Sequence, residues 1–178
     1  MAITTISELR TAIKAGARSN LYKVTLPTNA LGGDEADFGF LCKAAQLPGS
    51  TLGVIDIPFM AGRRYKLAGD RTFADWTTTI LADQNQKVRQ ALEVLQQQYG
   101  TTDYNSTTSK TRTGGSATDF STIKVEQLNQ AGTVVSSYTL FNCWPSDIST
   151  IDLSYDSTDT LEEFTVTWSY DYFTFPTT

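Results

Sequence analysis

Apolar and polar residues alternate most regularly near the C-terminal end. Phe164, Val166, Trp168, Tyr170 and Tyr172 share one parity, and Thr165, Thr167, Ser169 and Asp171 share the other. Successive side chains of a strand point to opposite faces, so residues 164–172 read as one strand with its aromatic side in the core. Six further β-prone runs are predicted at 20–26, 38–47, 73–81, 121–128, 134–144 and 148–155. Asn129-Gln130-Ala131-Gly132 joins two of them as a hairpin turn. Elsewhere the period changes. Val88, Ala91, Leu92, Leu95 and Tyr99 form one helical stripe, predicting a helix over 84–99 capped by Asp83 and stopped by Gly100. Thr5-Ile6-Ser7-Glu8 has capping-box spacing, and Ile6, Leu9 and Ile13 follow at helical intervals, giving a helical segment within 1–17 that Gly16 closes.

Residues 48–73 break the alternation. Two β-prone runs, 51–59 and 63–67, are joined through Met60-Ala61-Gly62 and read as a long hairpin, followed by a turn at Gly69-Asp70-Arg71. Leu52, Val54, Ile55, Ile57, Phe59 and Met60 place apolar groups on both faces of the first arm. Pro58, which lacks a backbone donor, suits an edge or a tip. An arm of about eight residues spans about 27 Å at ~3.4 Å per residue, whereas a compact chain of this length has a radius of gyration of about 16 Å. Two readings follow: a hairpin that overhangs the body, or a central hairpin buried within its own domain.

The chain has 178 residues, enough for a single domain with a proper core, and 40% hydrophobic with 19% charged residues is the composition of a soluble globular protein. No apolar run approaches the roughly 20 residues of a membrane span. The first residues lack the cationic start and apolar run of a signal peptide, which predicts a chain made and kept in a cytoplasm. Cys42 and Cys143 each lie in an apolar run and read as buried free thiols. A net charge of −5 opposes general binding of nucleic acid. Its distribution is more informative. Arg63, Arg64, Lys66 and Arg71 crowd the hairpin, while no Lys or Arg follows Lys124 and eight acids do. Either these are solvated faces of opposite sign, or copies of the chain join head to tail, cationic end onto anionic end.

Chemistry is conspicuously missing. The chain has no histidine, which removes the commonest general base, the common triads and most zinc sites. Two distant cysteines make no metal-ligand spacing, and neither a GxxxxGK nor a GxGxxG pattern occurs. Glu162 and Glu163 are adjacent and would point to opposite strand faces, so they do not form a glycosidase pair. The expectation is a protein that is not an enzyme and takes no cofactor or metal.

Four segments resemble the tail tube proteins of contractile-tailed bacteriophages, a family related to type VI secretion tube proteins: GARSNLY at 16–22, FLCKAAQLPGS at 40–50, GRRYKLAGDRTFADW at 62–76 and LSYDSTDTLEEFTVTWSYDYF at 153–173. AGDRTF is the most specific piece, and together the segments span the chain. Ser19 stands where the family usually has Pro, and the Thr/Ser-rich stretch 101–118, read as a flexible loop, has no counterpart in the likeness. The resemblance implies a mainly β fold, an antiparallel β-sandwich or barrel with a flanking α-helix and a long protruding hairpin. It further implies homohexameric rings that stack head to tail into a hollow tube inside a sheath. The implied partners are other copies, the tail sheath protein, and baseplate and tail terminator proteins, with DNA passing through the lumen without specific binding. No membrane is involved, and the implied location is the virion tail, assembled in the host cytoplasm.

Under that resemblance the inter-ring contact falls on Val54, Ile55, Ile57, Phe59, Met60, Arg63, Arg64, Tyr65 and Lys66. Asp156, Asp159, Glu162 and Glu163 are its candidate acidic complement, and Thr165, Thr167, Ser169 and Asp171 the candidate lumen face. The tube of a type VI or extracellular contractile injection system is the neighbouring alternative. A ligand- or carbohydrate-binding β-barrel module, stacking sugars on Trp76, Trp144 and Trp168, is the alternative from another class.

Overall fold

The computed structural model describes residues 5–13, 16–26, 38–39, 41–100, 121–156 and 158–176. The elements run α1 (Ile6–Ile13), β1 (Tyr22–Thr25), β2 (Cys42–Ala45), β3 (Ser50–Pro58), β4 (Arg64–Phe73), β5 (Trp76–Leu81), α2 (Lys87–Tyr99), β6 (Ser121–Leu128), β7 (Val134–Ile148), β8 (Glu163–Ser169) and β9 (Tyr172–Thr174). The expected loop at 101–118 lies outside the described residues.

Seven strands form one antiparallel sheet in the order β1-β6-β7-β8-β5-β2, with β9 also paired to β7. The two ends of that order meet, because the Tyr22 hydroxyl donates to the Cys42 carbonyl oxygen at 2.8 Å. The sheet therefore curls toward a barrel. Its interior is filled by the residues that alternation selects: Trp76 and Ile80 from β5, Phe164, Val166 and Trp168 from β8, and Ile123, Val125 and Leu140 from β6 and β7, all buried. The indole nitrogen of Trp168 donates to Thr78 Oγ1 at 3.1 Å, which satisfies the one polar edge of that ring.

The helix α2 covers this core with its apolar stripe, Val88, Leu92, Leu95 and Tyr99 being buried. Its polar face is tied to the end of β7: Arg89 donates to the Ser149 carbonyl oxygen at 3.1 Å and Gln96 to that of Ser146 at 3.3 Å. The Arg89 guanidinium also lies 5.3 Å from the centroid of the Phe164 ring.

Several boundaries differ from the pattern's expectation. The expected strands at 134–144 and 148–155 are one strand, β7, followed by an irregular connection from 149 to 162. β7 pairs with β6 and β9 up to Cys143 and with β8 from Trp144 onward. It redirects at Asn142, whose φ of 57° is left-handed, so one strand serves two surfaces and each half shows its own parity. The expected final strand splits in the same region. Tyr170 leaves β8, the Asp171 amide donates to the Phe141 carbonyl oxygen at 3.1 Å, and the chain enters β9 beside β7. Phe38, Gly39 and Leu41 are helical, which shortens the expected strand 38–47 to Cys42–Ala45. Asp83 does not cap α2. It makes an Asx turn to the Asn85 amide at 3.3 Å, and the helix starts after Gln86, which is itself left-handed. Thr5 and Glu8 do form the reciprocal capping box that opens α1, at 3.1 and 3.3 Å.

Candidate assembly surface

β3 and β4 form a two-stranded sheet of their own, paired from Ser50↔Phe73 to Pro58↔Arg64. The second arm is longer than the pattern implied, because Gly69-Asp70-Arg71 lies inside β4 and makes no turn. The glycine there serves a close backbone approach instead. The register slips between Leu52 and Val54, and a Cβ on Gly69 would lie 3.1 Å from the Gly53 carbonyl carbon. At the base, Phe73 packs edge-on against Phe173 at 5.4 Å and lies 6.1 Å from Tyr170. Beyond that anchor the arms are exposed. Every residue of β3 is solvent-facing, and at the tip Phe59 and Met60 are 68% and 81% exposed.

Cross-strand partners share a face, and the register sorts the apolar residues more sharply than their order in the sequence does. Ile55 lies opposite Leu67 and Ile57 opposite Tyr65, giving one continuous apolar face. Val54, Asp56 and Pro58 lie opposite Ala68, Lys66 and Arg64 on the other face, where Asp56 and Arg64 approach to 3.6 Å. The expected two-faced apolar arm is therefore one apolar face and one mixed, charged face. The Phe59 amide donates to the Arg63 carbonyl oxygen at 2.8 Å across the tip, and Ala61 between them is left-handed, with φ 61°. A β-carbon in that region costs on the order of 1 kcal/mol, held here by a five-residue loop.

The acidic candidates do not act as one group. Asp156 and Asp159 are exposed on the connection between β7 and β8. Glu162 accepts from the Gln86 side-chain amide at 3.3 Å, and Glu163 is the ion-pair partner of Lys43. Glu163, Thr165, Thr167 and Ser169 share the outward face of β8, while Asp171 lies beyond its end and accepts from the Asn142 side chain. Trp76 and Trp168 are buried in the core, and Trp144 sits 6.5 Å from Tyr99, so the three tryptophans form no sugar-stacking platform. Cys42 and Cys143 are buried free thiols, and burial pushes them up to about 11 and about 12. Burial also raises Tyr22 and Tyr170. Among the described residues no group of three or more His, Cys, Asp or Glu is placed to hold a metal ion.

Two exposed apolar groups lie outside the residues expected to make the contact. Ile6, Leu9 and Ile13 line α1 without cover from the body, and Leu153, Tyr155 and Leu161 stand on the β7–β8 connection. The first was visible as a helical stripe, but a stripe does not reveal whether its own chain will bury it. In the second, Leu153 and Tyr155 fall within the alternation that read as a strand at 148–155, and that pattern does not tell a paired strand from an open loop.

A curled antiparallel sheet, a covering helix and a free apolar hairpin together define a subunit built to pack against further subunits. The profile of the phage tail tube protein family matches residues 11–176, and the chain belongs to that family. It is 32% identical to tail tube protein gp19 of Enterobacteria phage T4, over 94% of this chain and 98% of that one. Among solved structures, the sheath–tube complex of the extracellular contractile injection system PVC aligns with a TM-score of 0.65 at 12% identity, covering 99% and 100% of the two chains. The tube-terminating cap of the anti-feeding prophage aligns with a TM-score of 0.65 at 16% identity, covering 100% and 95%. These structural likenesses establish the mainly β, tube-type fold. The protein is a structural subunit of the inner tail tube of a contractile phage tail and a component of the virion.

Proposed function

We propose that six copies close into a ring, that rings stack head to tail through the β3–β4 hairpin, and that the genome passes through the resulting bore. One observation carries this reading: among the described residues the hairpin pairs only with itself, and Ile55, Ile57, Tyr65 and Leu67 make an exposed apolar face. Each large apolar side chain removed from water contributes ~1.5–3 kcal/mol before ordering costs. Repeated around a ring, a few such contacts per subunit would resist shear when a sheath contracts. Head-to-tail contacts propagate without closing, as a tube along an axis requires.

The bore would be lined by the outward face of β5 and β8. Thr77 lies opposite Thr167 and Thr79 opposite Thr165, a hydroxyl surface on which the Lys43 charge is matched by Glu163. Such a surface offers phosphates little to hold, so DNA would slide. The subunit works by shape and contact and needs no catalysis. The exterior would meet the sheath, and the tube ends the baseplate and terminator proteins. Solved structures of the same fold include a sheath–tube complex, a baseplate and a tube-terminating cap.

Replacing both Ile57 and Phe59 with Asp tests the stacking role. The expected result is a folded subunit that still forms rings and no longer forms tubes in negative-stain micrographs. Tubes of ordinary length from that variant would remove the hairpin from the interface.

A further inference from the structure

The strand register places two unlike features at opposite ends of one sheet. β5 and β8 pair from Trp76↔Trp168 at one end to Leu81↔Glu163 at the other. The hairpin feeds into β5 at Trp76, whereas the β7–β8 connection feeds into β8 at Glu163. That connection encloses an open space of about 610 Å³, lined in part by Ile151, Leu153, Tyr155 and Leu161. Leu153, Tyr155 and Leu161 are 78%, 105% and 74% exposed, an unusual state for three large side chains in one short loop. Around them stand Asp152, Asp156, Asp159 and Glu162, with no Lys or Arg in the chain after Lys124.

The hairpin tip is the complement in every respect. It carries Phe59 and Met60, both exposed, next to Arg63, Arg64 and Lys66, three cations that share one hairpin acid, Asp56, which lies opposite Lys66 and 3.6 Å from Arg64. Apolar groups open to water on both sides gain by covering each other, and the two surfaces carry charges of opposite sign. Copies related by a translation along the sheet direction bring one molecule's Trp76 end against the next one's Glu163 end. We propose that the pocket of the β7–β8 connection is the socket for the hairpin tip of a second copy in the adjacent ring. Phe59 and Met60 pack against Leu153, Tyr155 and Leu161, and Arg63 and Arg64 meet the surrounding carboxylates. This rests on the stacked-ring reading and adds to it the receiving surface.

Cysteine cross-linking in assembled tubes tests the proposal, because both native thiols are buried and do not compete. A chain carrying Met60→Cys and Leu161→Cys should, after mild oxidation, run as a ladder of covalent multimers on a non-reducing denaturing gel. Either substitution alone should not do so. Intact tubes whose doubly substituted chains remain single overturn the socket and leave stacking itself standing. A wild-type chain that forms no tubes at all overturns the stacked-ring reading instead. A charge exchange gives the second readout. Arg63→Glu with Arg64→Glu, or Asp156→Arg with Asp159→Arg, should each lower tube yield at least tenfold in chains whose circular dichroism is unchanged. Combining all four should restore it, and failure of the combined chain to recover refutes the pairing.

Discussion

Thr78 is a small residue with a large partner. Its hydroxyl accepts the indole N–H of Trp168 inside the core, where no water replaces it. Thr78→Val keeps the shape and strands that donor, so unfolding by denaturant should show a loss of ~1–3 kcal/mol, with Thr78→Ser close to wild type. The two thiols set a pH limit. Burial raises Cys42 from an ordinary 9.0 to about 11 and Cys143 to about 12. Between those values the folded chain holds protons that the unfolded chain has released, so stability is full below pH 9 and falls as pH rises through 11 to 12. Burial raises Tyr22 in the same direction. Denaturant midpoints measured from pH 7 to 11 should therefore decline above 9, and replacing both cysteines with Ala or Val should flatten part of that decline.

At the scale of elements, the hairpin and α2 contrast in what holds them. α2 owes its place to burial. Leu92 is fully buried, and Leu92→Ala should cost ~2–5 kcal/mol of global stability, read as a lower denaturant midpoint. The hairpin depends on its own register. Gly69→Val forces a side chain against the Gly53 backbone 3.1 Å away, so amide exchange in β3 and β4 should speed up while the body's melting temperature stays nearly unchanged. How much of each was legible also differs. The stripe from Val88 to Tyr99 identified α2 because a helix that buries one face must repeat every third or fourth residue. Its first turn was misplaced, since Asp83 can make an Asx turn as readily as a cap. The hairpin's existence was readable from two β-prone runs around Met60-Ala61-Gly62. Its pairing was not, because Gly69 can mark a turn or a close approach and only the facing Gly53 decides which.

For the whole molecule, charge is divided along the chain and then along the sheet. If tip and socket meet as proposed, salt should weaken the contact, since the Debye length shrinks to about 3 Å at 1 M. The protein concentration needed for tubes should then rise several-fold with added sodium chloride while rings persist, as sedimentation would show. Period-two and period-3.6 patterns determined the mainly β composition and the core residues of β8 and α2, and residue order alone showed the division of charge, because each of these is a local property of neighbouring side chains. Tertiary structure alone decided that β7 turns at Asn142 to serve both halves of the sheet, that Glu163 pairs with Lys43, and that Leu153, Tyr155 and Leu161 stand open at the end opposite the hairpin. Those facts depend on which distant strands become neighbours, and a sequence pattern records only which face a residue prefers.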